Sequence, residues 1–137
     1  MRAYEATAHV DAAPEHVWSL LADVAAWPTW GSGVTSVEGR LALGEKLTIA
    51  VEANPGRSFP VKVTELSPPA RMVFQGGMPL SLFRGTRTYS LEREDGGTRF
   101  TMREQYTGPL AGMIFKSIPD LGPSFRQFAD ALKQRAE

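Results

Sequence analysis

The sequence predicts an α+β fold in which helices pack on one face of an antiparallel sheet. Three observations predict it. A short alternating segment, Tyr4–Val10, runs directly into a helix-forming stretch opened by Pro14. From Gly33 to Thr107, runs with the period of strands are separated by turn residues, which reads as about six strands in antiparallel order. After Gly108-Pro109 the alternation gives way to helical spacing that continues towards Ala136.

Each element has a local reason. Proline suits the first position of a helix, where its missing N–H would have no partner anyway. Val17, Leu20, Leu21 and Val24 then recur at helical spacing and mark one buried stripe. Trp27-Pro28-Thr29-Trp30 forms a tight corner, and its two indoles serve either as packing or as a pocket rim. Gly33–Glu38 reads as a strand, and Glu45–Glu52 alternates Leu47, Ile49 and Val51 against Lys46, Thr48 and Ala50. Asn54-Pro55-Gly56 is a turn. Phe59–Leu66 and Arg71–Gln75 are strands on either side of the Ser67-Pro68-Pro69 break. Arg84–Glu94 and Gly97–Thr107 form the clearest pair, joined by Asp95-Gly96, a two-residue hairpin turn. Leu110–Ser117 starts a helix, Pro119 and Pro123 interrupt it, and helix resumes towards Ala136. Ile114, Ile118, Leu121, Phe125, Phe128 and Leu132 keep one apolar stripe across the break, either as core or, in its middle, as a cavity lining. Gly76–Arg84, with two glycines and Pro79, reads as a mobile loop that with the proline break could gate such a cavity.

Composition narrows the function. At 137 residues we expect one domain, 1–137, with a sizeable core. Fifteen basic and fifteen acidic residues leave no net charge, which argues against a nucleic-acid footprint. The absence of cysteine excludes disulfides and thiol chemistry. No apolar run approaches the roughly 20 residues of a membrane span, and the N-terminus lacks a signal-peptide pattern, so we expect a cytoplasmic protein without integral membrane association. With no HExxH spacing, phosphate loop or Gly-x-Ser-x-Gly elbow, we expect no metal and no cofactor. His9 and His16 read as surface residues.

The Asp95-Gly96 hairpin allows a register argument. Pairing Glu94 with Gly97 sets Leu91 opposite Phe100, Tyr89 opposite Met102, Arg87 opposite Glu104 and Gly85 opposite Tyr106, all on one face. The other face carries Thr86, Thr88, Ser90 and Glu92 against Thr101, Arg103 and Gln105, and its polarity makes it the solvent face. Arg87 and Glu104 therefore confront each other on an otherwise apolar face, at about 5 Å between Cβ atoms. Three readings fit: an ion pair that fixes register, a polar anchor in an apolar pocket, or catalysis, with Glu104 taking a proton next to a carbonyl and Arg87 or a tyrosine hydroxyl stabilising the enolate.

The segment Ala13-Pro14-Glu15-His16-Val17-Trp18-Ser19-Leu20-Leu21-Ala22-Asp23, followed by Trp27 to Trp30, resembles the start of the START/Bet v 1-like (SRPBCC) superfamily, in particular its polyketide cyclase/dehydrase-like branch. The likeness continues through Gly85-Thr86-Arg87-Thr88-Tyr89, Gly97-Thr98-Arg99-Phe100-Thr101 and the amphipathic C-terminal helix. It implies a helix-grip fold: a curved antiparallel sheet of about six to seven strands wrapped around a long C-terminal helix, with two short helices after the first strand and a cavity between sheet and helix. The leading functional expectation is binding of a small hydrophobic or aromatic molecule, polyketide- or lipid-like. Arg87, Tyr89, Glu104 and Tyr106 would supply polarity, with Phe74, Met102, Ile114 and Ile118 as apolar lining, and with Trp30 and Phe115 near an entrance. One alternative is a cyclase or dehydrase using Glu104 and Arg87. Another is an interaction module like the chaperone-activator relatives, which a solid core and an exposed apolar patch would favour. Oligomeric state is left open by the sequence.

Overall fold

The computed structural model describes residues 2–137. Strand β1 (Arg2–Val10) leads into helix α1 (Pro14–Ala22) and a 3₁₀ helix over Val24–Trp30, so two short helices follow the first strand. Strands β2 (Val34–Gly39), β3 (Lys46–Val51), β4 (Ser58–Ser67), β5 (Arg71–Gly77), β6 (Arg84–Glu94) and β7 (Gly97–Thr107) come next. Helices α2 (Ala111–Ser117) and α3 (Gly122–Ala136) close the chain. All seven strands form one antiparallel sheet in the order β1-β7-β6-β5-β4-β3-β2. Register shifts between Val34 and Ser36 and between Val63 and Glu65 help the sheet curl, because an extra residue bends its strand and increases local twist.

The β6–β7 register is the one expected from the hairpin: Arg87 pairs with Glu104, Tyr89 with Met102, Leu91 with Phe100 and Gly85 with Tyr106. Asp95 and Gly96 both take positive φ, as a tight two-residue turn requires. The proline break is narrower than expected. Ile118 is extended at ψ 156°, and Pro123 lies in the first turn of α3, where it opens the helix rather than interrupting it. Pro119 alone falls in the gap between the two helices.

The apolar stripe divides at that gap. Phe125, Phe128 and Leu132 on α3 are buried, whereas Ile114, Ile118 and Leu121 are only half-buried. The core lies under the hairpin half of the sheet and is largely aromatic. Trp27 is fully buried against Phe74, Tyr89 and Phe128, with ring centroids 6.5, 5.6 and 5.0 Å away. Its indole N–H donates to the Leu21 carbonyl at 3.1 Å, and its own carbonyl accepts from the buried Ser32 hydroxyl at 2.8 Å. Gly31 ends this corner at φ 75°, a conformation that a β-carbon disfavours.

Helix α3 also closes the β1 edge of the sheet. Lys133 donates to the His9 carbonyl at 2.8 Å and Arg126 to the Thr7 carbonyl at 2.7 Å. On β7, the Thr98 hydroxyl donates to the Ala12 carbonyl at 2.7 Å and pins the β1–α1 connection.

Because the Trp27 indole is enclosed by rings and its N–H is satisfied, Trp27→Ala leaves a cavity that cannot readily collapse. It is expected to cost about 3–5 kcal/mol, read as a lower midpoint in urea unfolding, whereas Thr29→Ala on the exposed side of the corner shifts that midpoint much less.

Candidate functional site

The β6–β7 ladder changes character along its length. At the hairpin end Leu91, Phe100, Tyr89 and Met102 are buried in the solid core. Two steps further, at Arg87 and Glu104, helix and sheet separate around a cavity of about 760 Å³. Arg87, Glu104, Gly85 and Tyr106 supply its wall from β6 and β7. Ile49, Val51, Phe59 and Val61 line it from β3 and β4, Phe74 from β5, and Ile114, Ile118, Leu121 and Phe125 from the helices and the gap between them. The loop after β5 adds Met78 and Phe83, and the β3–β4 turn adds Asn54 and Arg57. Gly85 is the small residue that leaves room here: a β-carbon on it would meet the Tyr106 ring at 3.4 Å and Glu104 Oε1 at 3.7 Å.

The polar cluster is tightly coupled. Arg87 donates through Nε to Glu104 Oε1 at 3.2 Å and through Nη2 to Glu104 Oε2 at 3.1 Å, a two-point pairing that suits a planar guanidinium and a carboxylate. The Tyr106 hydroxyl also donates to Glu104 Oε2. Both charged side chains are largely buried, at 19% and 14% exposure. The guanidinium carbon sits 4.8 Å from the centroid of the Phe125 ring on α3, so the pair ties the helix to the sheet.

Burial opposes charge on Arg87, but Glu104 and Tyr89 together outweigh it and hold the guanidinium pKa above its ordinary value. Burial, reinforced by the same carboxylate, pushes the Tyr106 phenol well up. Burial also raises Tyr89, whose hydroxyl lies beside Arg87 without a well-formed hydrogen bond.

Of the residues expected at a site, the structure brings Arg87, Glu104, Tyr106, Phe74, Ile114 and Ile118 to the cavity wall. Four lie elsewhere. Tyr89 and Met102 share the correct sheet face but sit deeper, where α3 and Trp27 already cover it. Trp30 packs edge-on against Phe128 at 5.4 Å and takes the packing role rather than the rim. Phe115 stacks on Tyr4 at 5.1 Å and meets Tyr106 at 5.6 Å, behind the wall rather than at an entrance. Sequence reasoning missed the β3–β4 wall. The Leu47, Ile49, Val51 alternation showed an inward face, but not that the helices would leave part of that face uncovered.

Two predictions follow from the cluster. Glu104→Leu leaves a buried guanidinium uncompensated and is expected to cost about 3 kcal/mol, whereas Arg87→Met combined with Glu104→Leu stays within about 1 kcal/mol of the parent; urea unfolding of the double-mutant cycle measures both. Tyr89 and Tyr106 have folded pKa values above their unfolded value of 10.0, so their contribution is complete below that pH and is lost as pH rises through the folded values. Phenolate absorbance should therefore show two of the three tyrosines ionising only as the fold opens above about pH 10.

The comparisons with known proteins agree with this geometry. The family described as polyketide cyclase / dehydrase and lipid transport matches residues 1–137. No curated protein matches the chain. Among solved structures, the Aha1 dimer from Colwellia psychrerythraea superposes with TM-score 0.75 at 18% identity, over 100% of this chain and 97% of that one. A START superfamily protein from Mycobacterium smegmatis gives TM-score 0.70 at 19% identity, over 98% and 96%. A Mesorhizobium loti protein gives 0.74 at 17%, over 97% and 95%. At these identities the likeness to solved structures concerns the fold. With a family match over residues 1–137, a curled seven-stranded sheet around a C-terminal helix and a cavity between them, the chain belongs to the polyketide cyclase / dehydrase and lipid transport family.

Proposed function

We propose that this protein binds a small hydrophobic or aromatic molecule in the cavity between sheet and helices, with the Arg87–Glu104–Tyr106 cluster as its polar end. The observation that carries the reading is the cavity itself. Its volume of about 760 Å³ falls in the range of small-molecule pockets. Its walls are mostly aliphatic and aromatic, with the Arg87–Glu104–Tyr106 cluster on the sheet and further polar side chains from Asn54, Arg57, Ser58, Ser117 and Ser124, and such a lining selects shape and apolar area with a few oriented polar contacts. Polyketide-like and lipid-like molecules both match that chemistry.

The cluster supports binding over catalysis. Glu104 Oε1 is engaged by Arg87, and Oε2 by both Arg87 and Tyr106. A general base needs a lone pair directed at the proton it removes, and three of the roughly four such sites on the Glu104 carboxylate are already engaged. A cavity also weighs against a protein whose only function is docking to another protein.

Native mass spectrometry of gently purified protein, followed by extraction, tests the proposal. A stoichiometric hydrophobic adduct is expected. Ile118→Trp, which places an indole in the cavity, should weaken retention at least about tenfold, equivalent to about 1.4 kcal/mol. An adduct held equally well by Ile118→Trp would remove the cavity from the proposal. Turnover of a poly-β-keto substrate that is lost in Glu104→Gln would replace binding with cyclase chemistry.

A further inference from the structure

One end of the molecule exposes apolar side chains that nothing in the fold covers. Leu80 is 91% exposed and Met113 64%, with Leu82 at 37% close by in the chain. They come from two segments that are bonded together: Leu82 and Leu80 from the loop between β5 and β6, and Met113 from α2. The Leu110 amide donates to the Leu82 carbonyl at 3.0 Å, and Gly108 packs directly on the carbonyls of Ser81 and Leu82. The loop is held in an unfavourable shape. Leu80 has φ 61° and Ser81 φ 55°, the left-handed region that a leucine rarely adopts. An apolar side chain presented to water on strained backbone is an outlier that calls for a functional account.

Cations flank both segments: residues 75–84 contain Arg84 and no acid, and α2 contains Lys116 and no acid, the next acid being Asp120 in the gap before α3. The Arg2 side chain lies against Gly112 of α2. Among the described residues, Arg2, Arg84 and Lys116 form no ion pair, whereas most other arginines, including Arg71, Arg93, Arg99 and Arg126, are paired with acids. Arg84 makes only a 3.4 Å contact with the Ser81 hydroxyl. Three cations without an acid partner thus stand at the end that carries the exposed leucines, although Lys46, Arg57, Lys62 and Arg135 elsewhere also form no ion pair among the described residues.

We propose that this end docks peripherally on an anionic lipid bilayer, with Leu80, Leu82 and Met113 entering the headgroup region and Arg2, Arg84 and Lys116 meeting lipid phosphates. Apolar side chains ringed by basic ones are the combination that holds a peripheral protein at such a surface, where each contribution alone is weak. A second copy of the chain fits poorly. A two-fold interface on this patch would bring its cations against their own equivalents. The same loop borders the cavity through Met78 and Phe83, so docking would place the cavity beside the bilayer.

Sedimentation of the full chain with vesicles tests the proposal, comparing phosphatidylglycerol mixed into phosphatidylcholine with phosphatidylcholine alone. Binding is expected to the anionic vesicles, at least about fivefold above the neutral ones, and to fall as salt screens the surface. Leu80→Asn combined with Met113→Gln should lower it by roughly tenfold, since apolar insertion is lost. Asparagine tolerates left-handed backbone, so the melting temperature of this variant should not fall, which separates docking from folding. Arg84→Gln with Lys116→Gln should weaken anionic binding and leave the neutral background unchanged. Equal sedimentation with both vesicle types, or none, overturns the proposal. So does a dimer that Leu80→Asn dissociates, or saturable binding of an acidic protein through the same residues in place of vesicles.

Discussion

An ion pair on a sheet face that is otherwise apolar has little freedom. Arg87 and Glu104 must stay opposite each other, because a slip of one residue would separate them and turn the polar face of the hairpin onto the core. That requirement propagates outward. It sets Tyr106 beside Glu104 and keeps Gly85 across from Tyr106. It also gives Phe125 a guanidinium to pack against, so the helix is located by the same two charges that locate the strands. The pair stands where close packing ends. On its hairpin side every ring has a neighbour, and on its other side the sheet and helices part.

The parting has a simple origin. A continuous helix from Ala111 to Ala136 would carry one stripe along the whole sheet. The extended residue at Ile118 and the following Pro119 stop it, and helix resumes only at Gly122 as α3. The curl of the outer strands holds β3 and β4 away from the residues that α2 presents. Neither feature alone would leave such a volume, and the aliphatic residues on both sides face a space that their side chains are too short to fill.

Much of this was readable from residue order. The β6–β7 hairpin was legible because a period of two and a tight Asp95-Gly96 turn leave only one register, and the charge pair follows from that register. The helical break was legible at Pro119 but overstated at Pro123, since proline reads alike whether it ends a helix or opens one. Facing the right way proved insufficient at Tyr89 and Met102: periodicity tells which side of a sheet a residue takes and not what lies above it. Trp30 and Phe115 were misplaced for a related reason, because an aromatic at a turn packs or lines according to neighbours far away in sequence, Phe128 in one case and Tyr4 in the other. The β3–β4 wall was hidden because curvature comes from single-residue bulges, which barely disturb an alternating pattern.

The two cations that α3 lends to β1 have a meaning for how the molecule meets its own kind. An open sheet ends in strands whose outward carbonyls and amides can template another chain, and a seven-stranded sheet has two such borders. At one, Arg126 and Lys133 occupy the carbonyls of Thr7 and His9, so an incoming strand would find those acceptors taken. At the other, β2 is only six residues long and bent by a register shift, a poor template for a straight neighbour. The grip of the helix on its sheet is therefore also a guard against polymerisation, and a charge-removing change at Arg126 or Lys133 would show in the solubility of the chain rather than in its cavity.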